Sequence, residues 1–430
     1  MKYDPIDKNL FIENRKAFGN QLEKNALAVF NSNDTYPISA DSTMPFQQHR
    51  DIFYLSGVDQ EESILVIFPS CSNENHREIL FLKETSELIA IWEGEKLTKE
   101  QAFQSTGIKT VYWLNQFETI FKQLMAEAEI IYLNTNEHLR AKTEVETRED
   151  RFIKKVKRDY PAHMCKKSAP LMHRLRSVKK KVEIDLLQKA CKITESGFRR
   201  VLEFLKPGVW EYEIEAEFIH EFIRNKSKGF AYTPIIASGK NACVLHYIEN
   251  NKQCHSGDLV LLDVGAEYGN YASDLTRCIP VNGKFNERQK EVYNAVLRVK
   301  NAAQQLLVPG TLMSEYHKEV GDLMEKELLA LKLIDQNDIK NQRPEWPAYK
   351  KYFMHGTSHF LGLDTHDVGL WNEPIQAGMV FTCEPGIYIP EEGLGIRIED
   401  DLVVQEKGQP FNLMGDIPIE IEEIETLMNA

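Results

Sequence analysis

Two stretches of this chain repeat one another, and the repeat limits the folds open to it. Leu205-Lys-Pro-Gly208 matches Leu307-Val-Pro-Gly310, each closing one helical pattern and opening the next. Further along, Ser256-Gly-Asp-Leu-Val-Leu-Leu-Asp263 matches Ala377-Gly-Met-Val-Phe-Thr-Cys-Glu384, with the acid six residues after the glycine in both. Chance could supply either match singly. In the same order, the two predict paired helix–helix–hairpin units facing each other across a pseudo-twofold axis. Such a fold brings both hairpins to its centre.

Each hairpin carries two acids. The first, Gly257–Val281, turns near Tyr268-Gly-Asn and is expected to set Asp263 opposite Asp274 on one face. The second, Gly378–Val404, turns through Pro390-Glu-Glu-Gly-Leu-Gly and carries Glu384 and Glu399. Apolar residues precede Asp263 and Glu384, so these carboxylates end buried strands. Four ionised carboxylates in one apolar pocket repel one another and carry a heavy desolvation cost. Two divalent ions would balance them. Oxygen ligands with one imidazole suit Mn²⁺, Co²⁺, Fe²⁺ or Zn²⁺, and the lack of thiolate argues against a purely structural zinc site. Five ligands serve two ions only if some carboxylates bridge, which sets the ions about 3.5–4 Å apart.

The imidazoles stand between the hairpins. Met354–Asp367 holds three of the chain's twelve histidines, His355, His359 and His366. On a helix His355 and His359 would share a face, whereas a strand or loop would separate them. Any one alone reads as a core histidine; the acids on either side make the stretch chemical. Competing motifs are missing. His220-Glu221-Phe-Ile-Arg224 lacks the second histidine of a zincin helix, Ser358 has no G-x-S-x-G frame, and no G-x-x-x-x-G-K occurs.

The rest of the chain sets the frame. A length of 430 residues favours two domains, 1–170 and 171–430. The first half predicts a helix at Asn14–Lys24 and strands at Ala26–Asn31, Ile64–Phe68, Glu78–Leu82 and Ile130–Leu133, without chemistry of its own. Arg158–Lys181, basic and interrupted by Pro161 and Pro170, reads as the passage between domains. Helices are expected at Ser177–Leu205, Glu211–Asn225, Asn286–Leu307 and Leu312–Leu331. A net charge of −13 argues against a nucleic-acid partner. No apolar run approaches the roughly 20 residues that span a bilayer, so no membrane partner is expected. Seven scattered cysteines without a C-x-x-C pair fit a cytoplasmic protein.

Taken together, Ser177–Val404 resembles the pita-bread metallopeptidase family, which includes methionine aminopeptidase, prolidase, aminopeptidase P and the metal-free creatinase. The family's five metal ligands fall on Asp263, Asp274, His359, Glu384 and Glu399, all present. Residues 1–170 resemble the N-terminal domain of aminopeptidase P, through Asp51-Ile-Phe-Tyr-Leu-Ser-Gly-Val58 and Ile91-Trp-Glu-Gly94. The stretch from His355 to Gly369 is closer to aminopeptidase P than to prolidase, which tends to have glycine where Ser358 stands.

The resemblance implies an α+β protein: a C-terminal pita-bread fold with an internal pseudo-twofold repeat, behind a smaller α/β domain. It implies two divalent ions, Mn²⁺ first, with Co²⁺, Zn²⁺ or Fe²⁺ as alternatives. The activity implied is release of an N-terminal residue ahead of proline; prolidase and a silent binding protein are the alternatives. Glu384 would accept a proton as well as bind metal. His246 and His366 would contact the substrate carbonyl, and Arg397 would orient Glu399 or Asp263. His355 would wall the proline pocket or support His359, and Tyr232 would line the same pocket. A homodimer or homotetramer is implied, with the N-terminal domain limiting access to short peptides. The substrate choice has a physical logic, since an Xaa-Pro bond has no N–H to pair with a strand-binding protease.

Overall fold

The computed structural model describes residues 2–430, and in it the four apolar runs of the first half become strands, with two further strands beside them. They are β1 (Ala26–Asn31), β2 (Ile64–Ile67), β3 (Glu78–Leu82), β4 (Thr110–Trp113), β5 (Ile130–Leu133) and β6 (Met164–Lys167). One mixed sheet holds them in the order β4-β3-β2-β1-β5-β6. The sheet belongs to the first of two compact units, Tyr3–Arg176; the second is Ser177–Ala430. Its core packs Leu27, Val29, Val66 and Phe81 against Phe117, Phe121, Leu124 and Phe152.

One expectation for this unit needs correction. The first helix spans Lys8–Gly19, not Asn14–Lys24, because Asp7 caps it by accepting the Asn9 N–H. Its inward face includes Asn14 and Arg15 beside Leu10, Phe11 and Phe18, so apolar periodicity alone misplaces it. Buried Arg15 donates to Leu55 O, Thr106 O and Glu78. Arg158–Lys181 holds the boundary between the two units, at Arg176/Ser177, and is built of regular structure. It contains the end of a helix (Arg148–Asp159), the edge strand β6 and a helix at Ala169–Ser177. An edge strand with exposed polar side chains has the composition of a linker, and Pro170 fits the first turn of a helix.

In the second unit a long helix, Lys181–Phe204, packs on Glu211–Arg224; it starts four residues later than expected because Val178–Lys180 is extended. Strands β7 (Ile235–Ser238), β8 (Leu259–Val264) and β9 (Leu275–Pro280) form a sheet in the order β9-β8-β7. After helices Glu287–Leu306 and Met313–Ala330 come β10 (Val380–Cys383), β11 (Gly386–Ile389), β12 (Leu394–Arg397), β13 (Asp400–Val403) and β14 (Phe411–Asn412). β10, β13 and β14 make one sheet and β11 pairs with β12. Every residue of β8, β9, β10 and β13 is buried, yet only β8 and β10 read as near-continuous apolar runs; β9 and β13 bury Thr276, Arg277, Asp400 and Asp401.

The two hairpins meet at a bridge between Thr276 and Glu399, where the Glu399 N–H donates to Thr276 O at 3.0 Å. A buried charge cluster backs that contact. Arg277 donates to Glu399 O (2.7 Å) and to Asp400 Oδ1 (2.6 Å), while Lys300 pairs with Asp400 Oδ2. Burial pushes the Asp400 carboxyl up, but Arg277 and Lys300 outweigh it and hold the group well below the usual carboxylate range.

The first hairpin's register differs from expectation. Its tip pairs Tyr268 with Tyr271 around Gly269–Asn270, both at positive φ (61° and 67°). A two-residue turn of that kind suits Gly-Asn and moves the hairpin centre one residue along. Asp263 therefore faces Thr276 rather than Asp274. The displacement is two residues, an even number, so both aspartates keep the same face.

Candidate metal centre

Asp263 lies in the last turn of the pleat in β8, and Asp274 just ahead of β9. One tyrosine joins them. The Tyr232 hydroxyl stands 2.6 Å from Asp263 Oδ1 and 2.5 Å from Asp274 Oδ1. A phenol has one proton and can donate to only one of these oxygens. The second contact needs a proton on a carboxyl, or a cation beside the pair.

The histidine stretch is neither helix nor regular strand but runs antiparallel along β10. Phe360 bridges Phe381, the Thr382 N–H donates to His359 O (3.0 Å), and the Glu384 N–H donates to Thr357 O (2.8 Å). This pairing places His359 beside Glu384. His359 Nδ1 lies 3.0 Å from Phe360 O, so that nitrogen is the natural donor. Nε2 then faces Asp274 Oδ2 at 3.5 Å and Glu384 Oε1 at 3.6 Å. A lone pair aimed at two carboxylates is repulsive unless a positive charge lies between them.

Glu399 completes the group, accepting from Thr276 Oγ1 at 2.6 Å. Ligand atoms of Asp274, His359 and Glu399 all lie within 4.8 Å of one another. Burial drives the Glu399 carboxyl well above its ordinary range, and the charges of Asp274, Glu384 and Asp263 add to the effect. Burial likewise pushes Glu384 up to about 7 against the pull of His359 and Arg397, and raises Asp263 in spite of Arg397. A set of buried acids that hold protons for want of counter-charge, joined by one imidazole, has the donor chemistry of a divalent-cation site.

Arg397, 4% exposed, ties the acids together. It donates to Asp263 Oδ2 (2.5 Å), Thr276 Oγ1 (3.2 Å) and Tyr388 Oη (2.7 Å). Of the two carboxylates considered for it, Arg397 bonds Asp263 directly and reaches Glu399 through Thr276. His355 is half-buried, with Nε2 2.8 Å from Tyr388 Oη and Nδ1 3.8 Å from Glu384 Oε2. His366 is exposed, its ring centroid 4.4 Å from that of His359 in an edge-to-face contact. His246 is exposed on a turn, and no hydrogen bond or ion pair joins it to the acids among the described residues.

Sequence reasoning missed Tyr388, Thr276 and Asp401. Tyr388 and Gly386, the partner of Arg397, lie on one face of β11, a relation legible only once the hairpin register is known. Thr276 is two residues beyond Asp274 and so shares its face. Asp401 is wholly buried; its Oδ2 accepts the Asp274 N–H at 3.0 Å, and Oδ1 has no hydrogen-bond partner among the described residues. No local pattern marks it, since its partner is 127 positions away.

Comparison with known proteins agrees with this geometry. Residues 185–406 match metallopeptidase family M24, and residues 11–132 match the aminopeptidase P N-terminal domain. The chain is 35% identical to the Xaa-Pro aminopeptidase of Escherichia coli, over 99% of its own length and 98% of the relative's. It is 32% identical to human Xaa-Pro aminopeptidase 3, covering 92% and 79% of the two chains. Among solved structures, a variant of E. coli aminopeptidase P in complex with substrate superposes with a TM-score of 0.88 at 32% identity, covering 99% of both chains. The Zn-substituted E. coli enzyme in complex with product gives the same score, identity and coverage. The fold is the expected pita-bread α+β arrangement behind a smaller α/β region. The chain belongs to metallopeptidase family M24, and within it to the aminopeptidase P group of metal-dependent hydrolases.

Proposed function

We propose that this protein releases the N-terminal residue of peptides whose second residue is proline, using two divalent ions held by Asp263, Asp274, His359, Glu384 and Glu399. The observation that carries the reading is the convergence of four buried carboxylates and one imidazole from both repeats, with too little positive charge among them to keep the acids ionised. Two divalent charges match four carboxylates, and Mn²⁺ suits the oxygen-rich set; Co²⁺, Zn²⁺ and Fe²⁺ fit the same donors. When bound, such ions supply Lewis acidity and lower the pKa of water.

The side chains divide the remaining work. Glu384 is the most accessible of the paired acids, with its side chain 20% exposed, so its Oε atoms can take a proton from water and return it to the proline nitrogen. That nitrogen leaves as a secondary amine and must be protonated. His366 and His246, both exposed, are assigned to the substrate carbonyl and its developing charge. His355, held by Tyr388, walls the proline pocket. Tyr232 spends its hydroxyl on the aspartates, which leaves only its ring for that wall. Arg397 fixes the Asp263 carboxylate. The N-terminal domain, residues 1–170, limits access to short peptides and free N-termini. The resemblance adds a cytoplasmic homo-oligomer, dimer or tetramer, to this reading. Among the described residues no helix is long and apolar enough to cross a membrane.

The deciding experiment assays purified protein on Xaa-Pro-Yaa tripeptides and Xaa-Pro dipeptides across a Mn, Co, Zn and Fe series. Tripeptide cleavage that depends on added metal is expected. Cleavage of dipeptides alone would make the protein a prolidase. Failure both to bind metal after reconstitution and to cleave either peptide would make it a silent binding protein.

A further inference from the structure

Outside the acid cluster, a second pair of charges is buried beside the histidine stretch. Lys179 Nζ lies 3.0 Å from Asp367 Oδ2, and both side chains are 1% exposed. Burying an ion pair costs about as much as, or more than, the attraction returns, so net stability does not explain its presence. Its placement suggests another role.

Lys179 stands on fixed backbone. Its N–H donates to Gly378 O (2.9 Å), and neighbouring Val178 bridges Met379 at the entry to β10. Asp367 follows His366 directly, in a segment of bends without helix or strand from Gly362 to His366. Backbone ties hold the ends of that segment. The Ala272 N–H donates to Gly362 O (2.8 Å), and the Asp367 N–H donates to Phe360 O (2.8 Å). The chain also closes tightly over the ion pair at Gly362. A Cβ there would fall 2.1 Å from Asp367 Oδ2 and 3.0 Å from Lys179 Nζ. A bend this free of regular pairing needs a side-chain anchor to give an exposed histidine one orientation.

We propose that Lys179 and Asp367 are positioning residues for His366, fixing the bend so that its imidazole faces the substrate. The inference rests on the substrate-facing role proposed for His366 above. A buried, hydrogen-bonded charge pair suits the task because pulling it apart would leave both charges uncompensated away from water. A hydrophobic pair would pack as well but would tolerate sliding.

The test uses the full-length, metal-reconstituted protein and the variants Lys179→Met, Lys179→Met/Asp367→Asn, His366→Ala and the triple combination. Lys179→Met alone removes the ammonium counter-charge from the buried Asp367 carboxylate and lowers the melting temperature; the neutral double variant recovers much of that loss. Metal content measured by elemental analysis is expected to match the parent in the double variant. Its kcat nevertheless falls on the order of tenfold to a hundredfold, with KM little changed, as for a misplaced catalytic contact. In the His366→Ala background the same two substitutions cause no further loss of kcat, because residues acting through one group are not additive. A double variant with parental kcat, or one whose loss multiplies with that of His366→Ala, overturns the positioning role. His366→Ala with parental kcat would instead overturn the reading of His366 itself.

Discussion

At the residue scale the site turns on a shortage of positive charge. Tyr232 has one hydrogen for two aspartates, and His359 aims a ring nitrogen at two more acid oxygens. Bound cations resolve both, so removing a ligand should be felt as lost metal. Asp274→Ala is expected to lose metal and turnover together, whereas Glu384→Ala abolishes turnover in a folded protein. Elemental analysis and peptide assay check both; normal metal content in Asp274→Ala would contradict a bridging carboxylate. Arg397→Lys tests the tie to Asp263. A lysine is a point charge and cannot span Asp263, Thr276 and Tyr388 at once. Its expected cost is about 10–100-fold in metal affinity or activity, the usual range for groups behind a ligand. Parental values for both would show that any cation suffices there. The acids proposed as ligands were legible in the sequence because Asp263 and Glu384 end apolar runs at matching repeat positions, each with a second acid on its hairpin. Tyr388 and Asp401 were not, because hydroxyls and lone acids acquire meaning from partners far along the chain.

At the element scale, hairpin register decides what each side chain meets. The Gly269–Asn270 turn sets Asp263 against Thr276, and Thr276 in turn meets Glu399 of the other repeat. Sequence pattern located both hairpins, but a turn one residue off centre was enough to misassign the pairing. Behind the bridge, Asp400 pairs with both Arg277 and Lys300, all three buried. Asp400→Asn would leave two cations without counter-charge, at an expected cost of about 3–5 kcal/mol read from urea unfolding. A change below about 1 kcal/mol would mean that the cations relax into water. The wild-type contribution has a sign. A carboxyl held below its unfolded pKa stabilises above that value, so this stability is present near neutrality and fades as pH drops below about 4.

At the scale of the whole molecule, a buried acid of the N-terminal unit carries the opposite pH signature to Asp400 of the second. In the N-terminal unit, buried Glu149 accepts from the Asn31 N–H and Nδ2, both at 2.8 Å. Burial raises its carboxyl from 4.5 to about 8 in spite of those bonds. The folded state then binds a proton that the unfolded chain has released, so stability falls as pH rises through that window. Hydrogen exchange of the β1 amides, corrected for intrinsic rate, should show weakening protection across it, and Glu149→Gln should flatten the trend. An unchanged slope in that variant would assign the effect elsewhere.

By itself the sequence determined the repeat, the two hairpins and the family, and it marked the five positions proposed as ligands. Each of these is written in local patterns: apolar runs ending in acids, Pro-Gly stops and a histidine stretch of fixed spacing. Tertiary structure alone decided which oxygens share the Tyr232 proton, that the histidines run along β10, and that Arg397 reaches Asp263 through space. It also turned a stretch with the composition of a linker into an edge strand and a helix. The reason is physical. Local pattern reports burial and periodicity, whereas hydrogen bonds and ion pairs depend on distances between groups that are set only when the chain closes on itself.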